Sequence, residues 1–267
     1  MSQPLELDRF GGIARLYGIR GLERFAQAHV AVVGVGGVGS WCVEALARSG
    51  IGRLTLIDLD DICISNSNRQ LHTLGSTLGR SKVEVLRERV ADIAPHCQCE
   101  VQARFVTTAN VAECLPLGLS AVIDAIDHTA VKAAIVSHAL SQNLPIAVSG
   151  SAGGRTDPSA VRVADLGRCG ADPLLGALRR QLRKQYPDCC PSQPAQAPLW
   201  QVPCVYSTQA ALYPQPDGSC SAGRPTDQPM GLKLDCASGL GACTAVTGTF
   251  GFMLSAMVLE RLSRALP

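Results

Sequence analysis

Residues 29–39 read HVAVV-Gly34-Val35-Gly36-Gly37-Val38-Gly39, a β-branched apolar run that ends in a cluster of glycines. This stretch constrains the fold more than any other. An unbroken Val/Ala run has no polar face, so it suits a strand of a parallel sheet that is covered on both sides. The glycines permit a tight turn and let backbone N–H groups approach an anion, and a following helix adds its positive N-terminus. Asp58 closes the next apolar run, RLTLID at 53–58, where a carboxylate commonly meets a ribose. Alone, the pattern specifies a nucleotide, most often a nicotinamide dinucleotide, with a ligand-free glycine turn as the plainer alternative.

The surrounding chain repeats the rhythm. Apolar side chains at helical spacing predict helices over 13–28, 38–49, 82–93 and 129–141. Strands are predicted at 29–34, 53–58, 98–104, 121–127 and 145–150. Alternating strands and helices imply an α/β fold: a Rossmann-like, doubly wound, mostly parallel sheet. Beyond Gly150 the rhythm changes to a β-rich extension, a basic helix over 172–185 and a long C-terminal helix. The expected organisation over 1–267 is a single domain. A helical arm (1–28) precedes the nucleotide-binding core (29–150), and 151–267 serves substrate or dimer contacts. Pro187, Pro191, Pro194 and Pro198 predict an exposed, mobile loop near 187–199.

Composition narrows the function classes. Hydrophobic residues at 46% against 17% charged exclude disorder for most of the chain. With 24 basic and 22 acidic residues, a polyanion has to be met by a local patch, and 4% aromatics disfavour a base-stacking single-strand binder. Twelve cysteines are scattered without any CxxC pair, which argues against a zinc staple. With an acidic-polar start that lacks an apolar run, they fit small buried side chains in a reducing cytoplasm. The stretch 236–259 carries no charge and is long enough to span a bilayer. Its glycines and hydroxyl residues favour a core or subunit-interface helix over membrane contact.

The residues after Asp58 do not suit a hydride-transfer enzyme. Asp60, Asn66, Arg69 and Gln70 follow, then Gly79-Arg80-Ser81-Lys82. Arg69 and Lys82 supply cations suited to a triphosphate, although such side chains are often merely solvated. Asp124 and Asp127 end the 121–127 strand, where a carboxylate can hold Mg²⁺ against phosphate oxygens or cap a helix. His72 and His128 lie nearby, and packing or capping is the favoured reading of both over proton transfer. On the basic helix, Arg179, Arg180, Arg183 and Lys184 offer a face for a tRNA backbone, or simply a solvated one.

Taken together, GVGGVG, DLDD with SNSNRQ, GRSK and DAID resemble the superfamily of ubiquitin-activating and molybdopterin- and thiamine-synthesis adenylyltransferases. That resemblance implies ATP and Mg²⁺, adenylation of a carboxylate and release of pyrophosphate. It implies Asp58 on the ribose, Arg69 and Lys82 on the phosphates, and Asp127 on the metal. Gly34, Gly36, Gly37, Gly39, Asp60, Asn66 and Gln70 complete the nucleotide site. It further implies a homodimer that lends an arginine in trans; Arg15 is chosen, with Arg9 behind it and a solvated arginine equally open. RFGGIARLYG, SGSAGGRTDP, VPCVYSTQAALYPQPDGS and LDCASGLGACTAVTGTFGF resemble one branch, the dehydratases that cyclise threonylcarbamoyladenosine next to the tRNA anticodon. A cysteine desulfurase and its sulfur acceptor are implied as partners. Cys204, in VPCVYS, is a candidate reactive thiol, although a buried one is favoured. Two other readings stay open: activation of a ubiquitin-like sulfur carrier's C-terminal carboxylate, and a non-catalytic dinucleotide module acting as a redox sensor.

Overall fold

A computed structural model describes residues 6–170, 172–190, 199–223 and 240–264. Helices α1 (Leu7–Tyr17) and α2 (Ile19–Gln27) precede β1 (His29–Val33), α3 (Gly39–Arg48), β2 (Arg53–Ile57), α4 (Lys82–Ile93) and β3 (Gln98–Gln102). Next come α5 (Val111–Cys114), β4 (Ala121–Asp124), α6 (Thr129–Ser141), β5 (Ile146–Ser149), β6 (Val161–Asp165), α7 (Pro173–Gln185) and β7 (Pro203–Ser207). A small hairpin of β8 (Tyr213–Pro214) and β9 (Cys220–Ser221) leads toward α8 (Thr244–Ser263).

The apolar runs form one sheet in the order β3-β2-β1-β4-β5-β7-β6, parallel throughout except for β6 against β7. Val32 on β1 lies level with Leu56 on one side and Ile123 on the other. All of β1, β4 and β5 is buried, as their unbroken apolar sequences require, whereas the edge strand β3 is partly exposed. The chain winds outward from β1 through β2 to β3, then returns to start β4 on β1's other side. The connections leaving β1 and β4 therefore part in opposite directions, and the crevice between them is where such sheets bind ligands.

Three features depart from the expected elements. The predicted 13–28 helix is two helices broken at Gly18, whose φ of 77° is one that residues with side chains rarely adopt. The break lets α2 bury Leu22 and Phe25 while α1 sets Phe10 and Ala14 against Ala94. The strand predicted over 121–127 stops at Asp124, because the Ile126 N–H turns back to Asp124 Oδ1 at 3.2 Å. The β-rich extension is largely a continuation of the main sheet through β6 and β7.

Within the uncharged 236–259 stretch, residues 244–259 belong to a core helix; 236–239 and the proline-rich 191–198 lie outside the described residues. Although α8 is long and apolar enough to cross a membrane, it buries Val246, Phe250, Leu254, Val258 and Leu259 in the same apolar core as Cys42, Val43 and Leu46 of α3. Gly251 lets the two helices approach: a Cβ there would lie 2.7 Å from both Trp41 Cβ and the Val38 carbonyl oxygen. Cys42 Sγ and Ser255 Oγ both donate to the Gly251 carbonyl, at 3.4 and 3.0 Å. Gly251→Ala should destabilise the fold by about 1–3 kcal/mol in urea titrations, because overpacking against backbone outweighs the roughly 1 kcal/mol gain in helix propensity.

Candidate nucleotide site

A cavity of about 1190 Å³ opens at the carboxyl ends of the central strands. The β1–α3 loop forms its floor, and its glycines divide into two kinds. A Cβ on Gly39 would lie 1.8 Å from the Gly34 carbonyl oxygen, and one on Gly34 only 2.7 Å from Ile126 Cγ2. These two are required by packing. Gly36 and Gly37 face the cavity, where an added Cβ would first meet the side chains of Gln70 at 3.6 Å and Arg69 at 3.3 Å. Their lack of side chains lets an anion reach the backbone N–H groups and the start of α3.

Asp58 holds this loop in place. Its Oδ2 accepts from Val35 N–H and its Oδ1 from Asp60 N–H, each at 2.9 Å. Burial raises its carboxyl pKa, an effect opposed by Lys82 and by these two hydrogen bonds. Lys82 Nζ reaches Asp60 Oδ2 at 2.7 Å, with the Lys82 side chain 6% exposed and that of Asp60 52%. The lysine stem is thus buried, and its ammonium lies on the cavity wall. Arg69 Nη1 donates to the Ser65 carbonyl at 3.0 Å and to Asn68 Oδ1 at 3.1 Å, while Trp41 Nε1 donates to the Arg69 carbonyl at 3.1 Å. Asn66 is buried and shapes the loop: its Oδ1 accepts from Cys63 N–H at 3.2 Å.

The two acids after β4 have different fates. Asp124 and Lys132 are both fully buried and form an ion pair of 3.0 Å. Burial raises the Asp124 carboxyl pKa against the pull of Lys132, so this pair braces the sheet end below the cavity. Asp127 is exposed, lines the cavity, and makes no hydrogen bond or ion pair among the described residues. His128 caps α6, its Nδ1 accepting from Val131 N–H at 3.5 Å. His72 is 2% exposed, and its Nε2 lies 3.0 Å from Gln70 Oε1. Burial, aided by Lys82, lowers its pKa to about 4.

Other sequence-predicted residues fall elsewhere. Cys204 follows the favoured buried reading and is not placed as a reactive thiol: it is buried in β7 between β5 and β6 and does not line the cavity. Burial, then neighbouring Cys169, raises its pKa well above the usual thiol range and suppresses the thiolate. Arg179 corrects the four-residue basic face, since its Nη1 donates to the Leu166 and Cys169 carbonyls at 2.9 and 2.7 Å. Arg180, Arg183 and Lys184 remain exposed, with Arg183 lying 5.6 Å over the Trp200 ring. Arg15 is exposed on α1 and does not line this chain's cavity. Arg9 is held by Glu6 at 3.0 Å and the Ile93 carbonyl at 2.9 Å. Sequence reading missed Arg104 and Thr107 after β3, which line the cavity together with Ser149, the last residue of β5, and Ser151, both within the SGSAGGRTDP segment. The only sequence signal of Arg104 and Thr107 is that each follows a strand's carboxyl end.

A glycine loop at a topological switch point, with Arg69, Lys82 and the exposed carboxylate of Asp127 on the cavity wall, defines a nucleotide-binding α/β protein. The ThiF family model matches residues 12–265, and the chain belongs to that family. It is 46% identical over 255 residues to the tRNA threonylcarbamoyladenosine dehydratase of Escherichia coli (strain K12), covering 96% of this chain and 93% of the relative. The crystal structure of the E. coli enzyme in complex with ATP superposes with a TM-score of 0.85 at 41% identity, over 98% of this chain and 96% of that one. The molybdopterin-synthase adenylyltransferase of Salmonella typhimurium is 36% identical over 141 residues, 52% of this chain and 55% of the relative.

The neutral His72 has a measurable consequence. Below about pH 6.5 the unfolded chain takes up a proton that the folded chain refuses until about pH 4, so stability falls as pH drops through that window. The loss attributable to His72 should reach about 2 kcal/mol by pH 5. Urea titrations at pH 7 and pH 5 should show that His72→Gln removes this part of the difference.

Proposed function

We propose that this chain is an ATP-dependent enzyme that dehydrates threonylcarbamoyladenosine in tRNA to its cyclic form. The observation that carries the reading is the convergence of Gly36, Gly37, Arg69, Lys82 and Asp127 on one cavity. The likeness to the dehydratases also extends over 96% of the chain.

Each part of the site has a task in this chemistry. The glycine loop, Arg69 and Lys82 neutralise the triphosphate, and Asp58 lies where a ribose hydroxyl can donate to it. Asp127, an exposed carboxylate without another partner among the described residues, suits a Mg²⁺ held by one carboxylate and phosphate oxygens. When bound, that ion would draw charge from the phosphates. The substrate carboxylate oxygen attacks the α-phosphorus, and the bond to pyrophosphate breaks. The carbamoyl oxygen or nitrogen then attacks the activated carbonyl carbon, AMP departs and the carbamoyl group loses a proton. Ring closure is intramolecular, so proximity supplies much of the rate. A homodimer belongs to the same reading, because Arg15 can approach a nucleotide only from a second copy.

Activation of a sulfur carrier is the weaker alternative: the chain has no CxxC pair, and the adenylyltransferase likeness covers only about half of it. Incubating tRNA with the protein, ATP and Mg²⁺ should convert threonylcarbamoyladenosine to a nucleoside one water lighter, with AMP appearing in step, by nucleoside mass analysis. Asp127→Ala should lower this turnover at least about 100-fold, the scale of losing one preorganised electrostatic group, without changing the melting temperature. AMP formation that depends on a carrier protein instead of tRNA would favour the alternative.

α7 connects the cavity to the basic face. Leu174 lines the cavity, while Arg180 and Lys184 lie about 9 and 15 Å further along the helix axis. Replacing Arg180, Arg183 and Lys184 with Gln should raise the tRNA KM and flatten its dependence on salt, leaving the ATP KM unchanged.

A further inference from the structure

Gln70 lies between the nucleotide cavity and a buried histidine. Its Nε2 is 3.6 Å from where a Cβ on Gly36 would stand, so the amide nitrogen lies beside the phosphate-facing part of the loop. Its Oε1 lies 3.0 Å from His72 Nε2, and both side chains are buried, at 7% and 2% exposure. A carboxamide oxygen only accepts, so His72 Nε2 carries the proton and donates. His72 Nδ1 is buried without a hydrogen-bond partner among the described residues. Moving the proton to Nδ1 would bury an N–H donor with no acceptor, which disfavours the other tautomer. Flipping the Gln70 amide would set its NH2 group against the Nε2–H of His72. The His72 backbone is itself fixed, its carbonyl accepting from Thr77 Oγ1 at 2.6 Å.

We propose that His72 is a positioning residue: it locks the Gln70 amide so that its NH2 group faces the nucleotide phosphates between Arg69 and Lys82. Gln70 then adds a phosphate donor without adding charge. This rests on the ATP reading and deepens it.

Calorimetric titration of ATP and of adenosine into the wild type and its variants tests the proposal. Gln70→Ala and His72→Ala should each raise the Kd for ATP about tenfold, the scale of one hydrogen bond to a charged group, and leave that for adenosine within about twofold. The double variant should be no worse than Gln70→Ala, because both changes remove the same contact. His72→Gln, whose amide can donate in place of the ring nitrogen, should recover most of the affinity. If His72→Ala does not fold, Gln70→Glu serves: it keeps an acceptor for His72 but turns an anion toward the phosphates, so its ATP affinity should fall by more than about tenfold. Equal losses for ATP and adenosine, additive effects in the double variant, or wild-type affinity in Gln70→Glu would each overturn the proposal. Failure of the wild type to bind ATP would instead overturn the nucleotide reading itself.

Discussion

Gly34 and Gly39 meet at the turn from β1 into α3 so closely that a Cβ on Gly39 would lie 1.8 Å from the Gly34 carbonyl oxygen. The rest of the site follows from that contact. It fixes the angle at which α3 leaves the sheet, and with it the direction of the helix N-terminus. It leaves Gly36 and Gly37 as the surface an anion would touch. Asp58 secures the same turn from β2 through the Val35 N–H. A cavity-lining carboxylate and a loop brace are therefore one group. Changing it would alter both the ligand contact and the cradle.

Charge is distributed around this turn according to burial. Asp124 and Lys132 neutralise each other in a fully dry position, where removing one partner alone leaves an uncompensated ion. Asp127, three residues on, remains outside that pair and open to the cavity. Lys82 is anchored by a buried stem, so its ammonium is directed with little freedom to wander. Arg69 is held by backbone on one side and by Trp41 on the other, and Thr247 of α8 also donates to its carbonyl at 3.4 Å. The long apolar helix thus supports the arginine loop as well as the core, which ties the far end of the chain to the cavity.

Much of this was legible in the residues. The helical spacing of 82–93 and 129–141 predicts helices that the structure contains with the same bounds, and the β-branched runs before Gly34 and Asp58 predict strands that it ends one residue earlier. The motifs that carry Gly34, Gly36, Gly37, Asp58, Arg69, Lys82 and Asp127 name residues that the fold brings to one cavity. What failed did so because of one backbone conformation and of contacts made only in the folded chain. Gly18 breaks a helix whose apolar periodicity runs straight through it, because periodicity does not register a positive φ. Arg179 looks like its neighbours in sequence, yet only it is within reach of the Leu166 and Cys169 carbonyls. Cys204 carries no sequence mark that it lies between two strands.

Sequence alone determined the doubly wound class, the glycine turn and the identity of the charged groups at the strand ends. Those are consequences of local sterics and periodicity, which depend on residues close in the chain. Tertiary structure decided which acid is free and which is paired, which cysteines are sealed, and which cations face solvent. It also set Gln70 between His72 and the glycine loop. Each of those outcomes depends on desolvation and on contacts between residues far apart in the chain, and the order of residues does not reveal them until the sheet has closed.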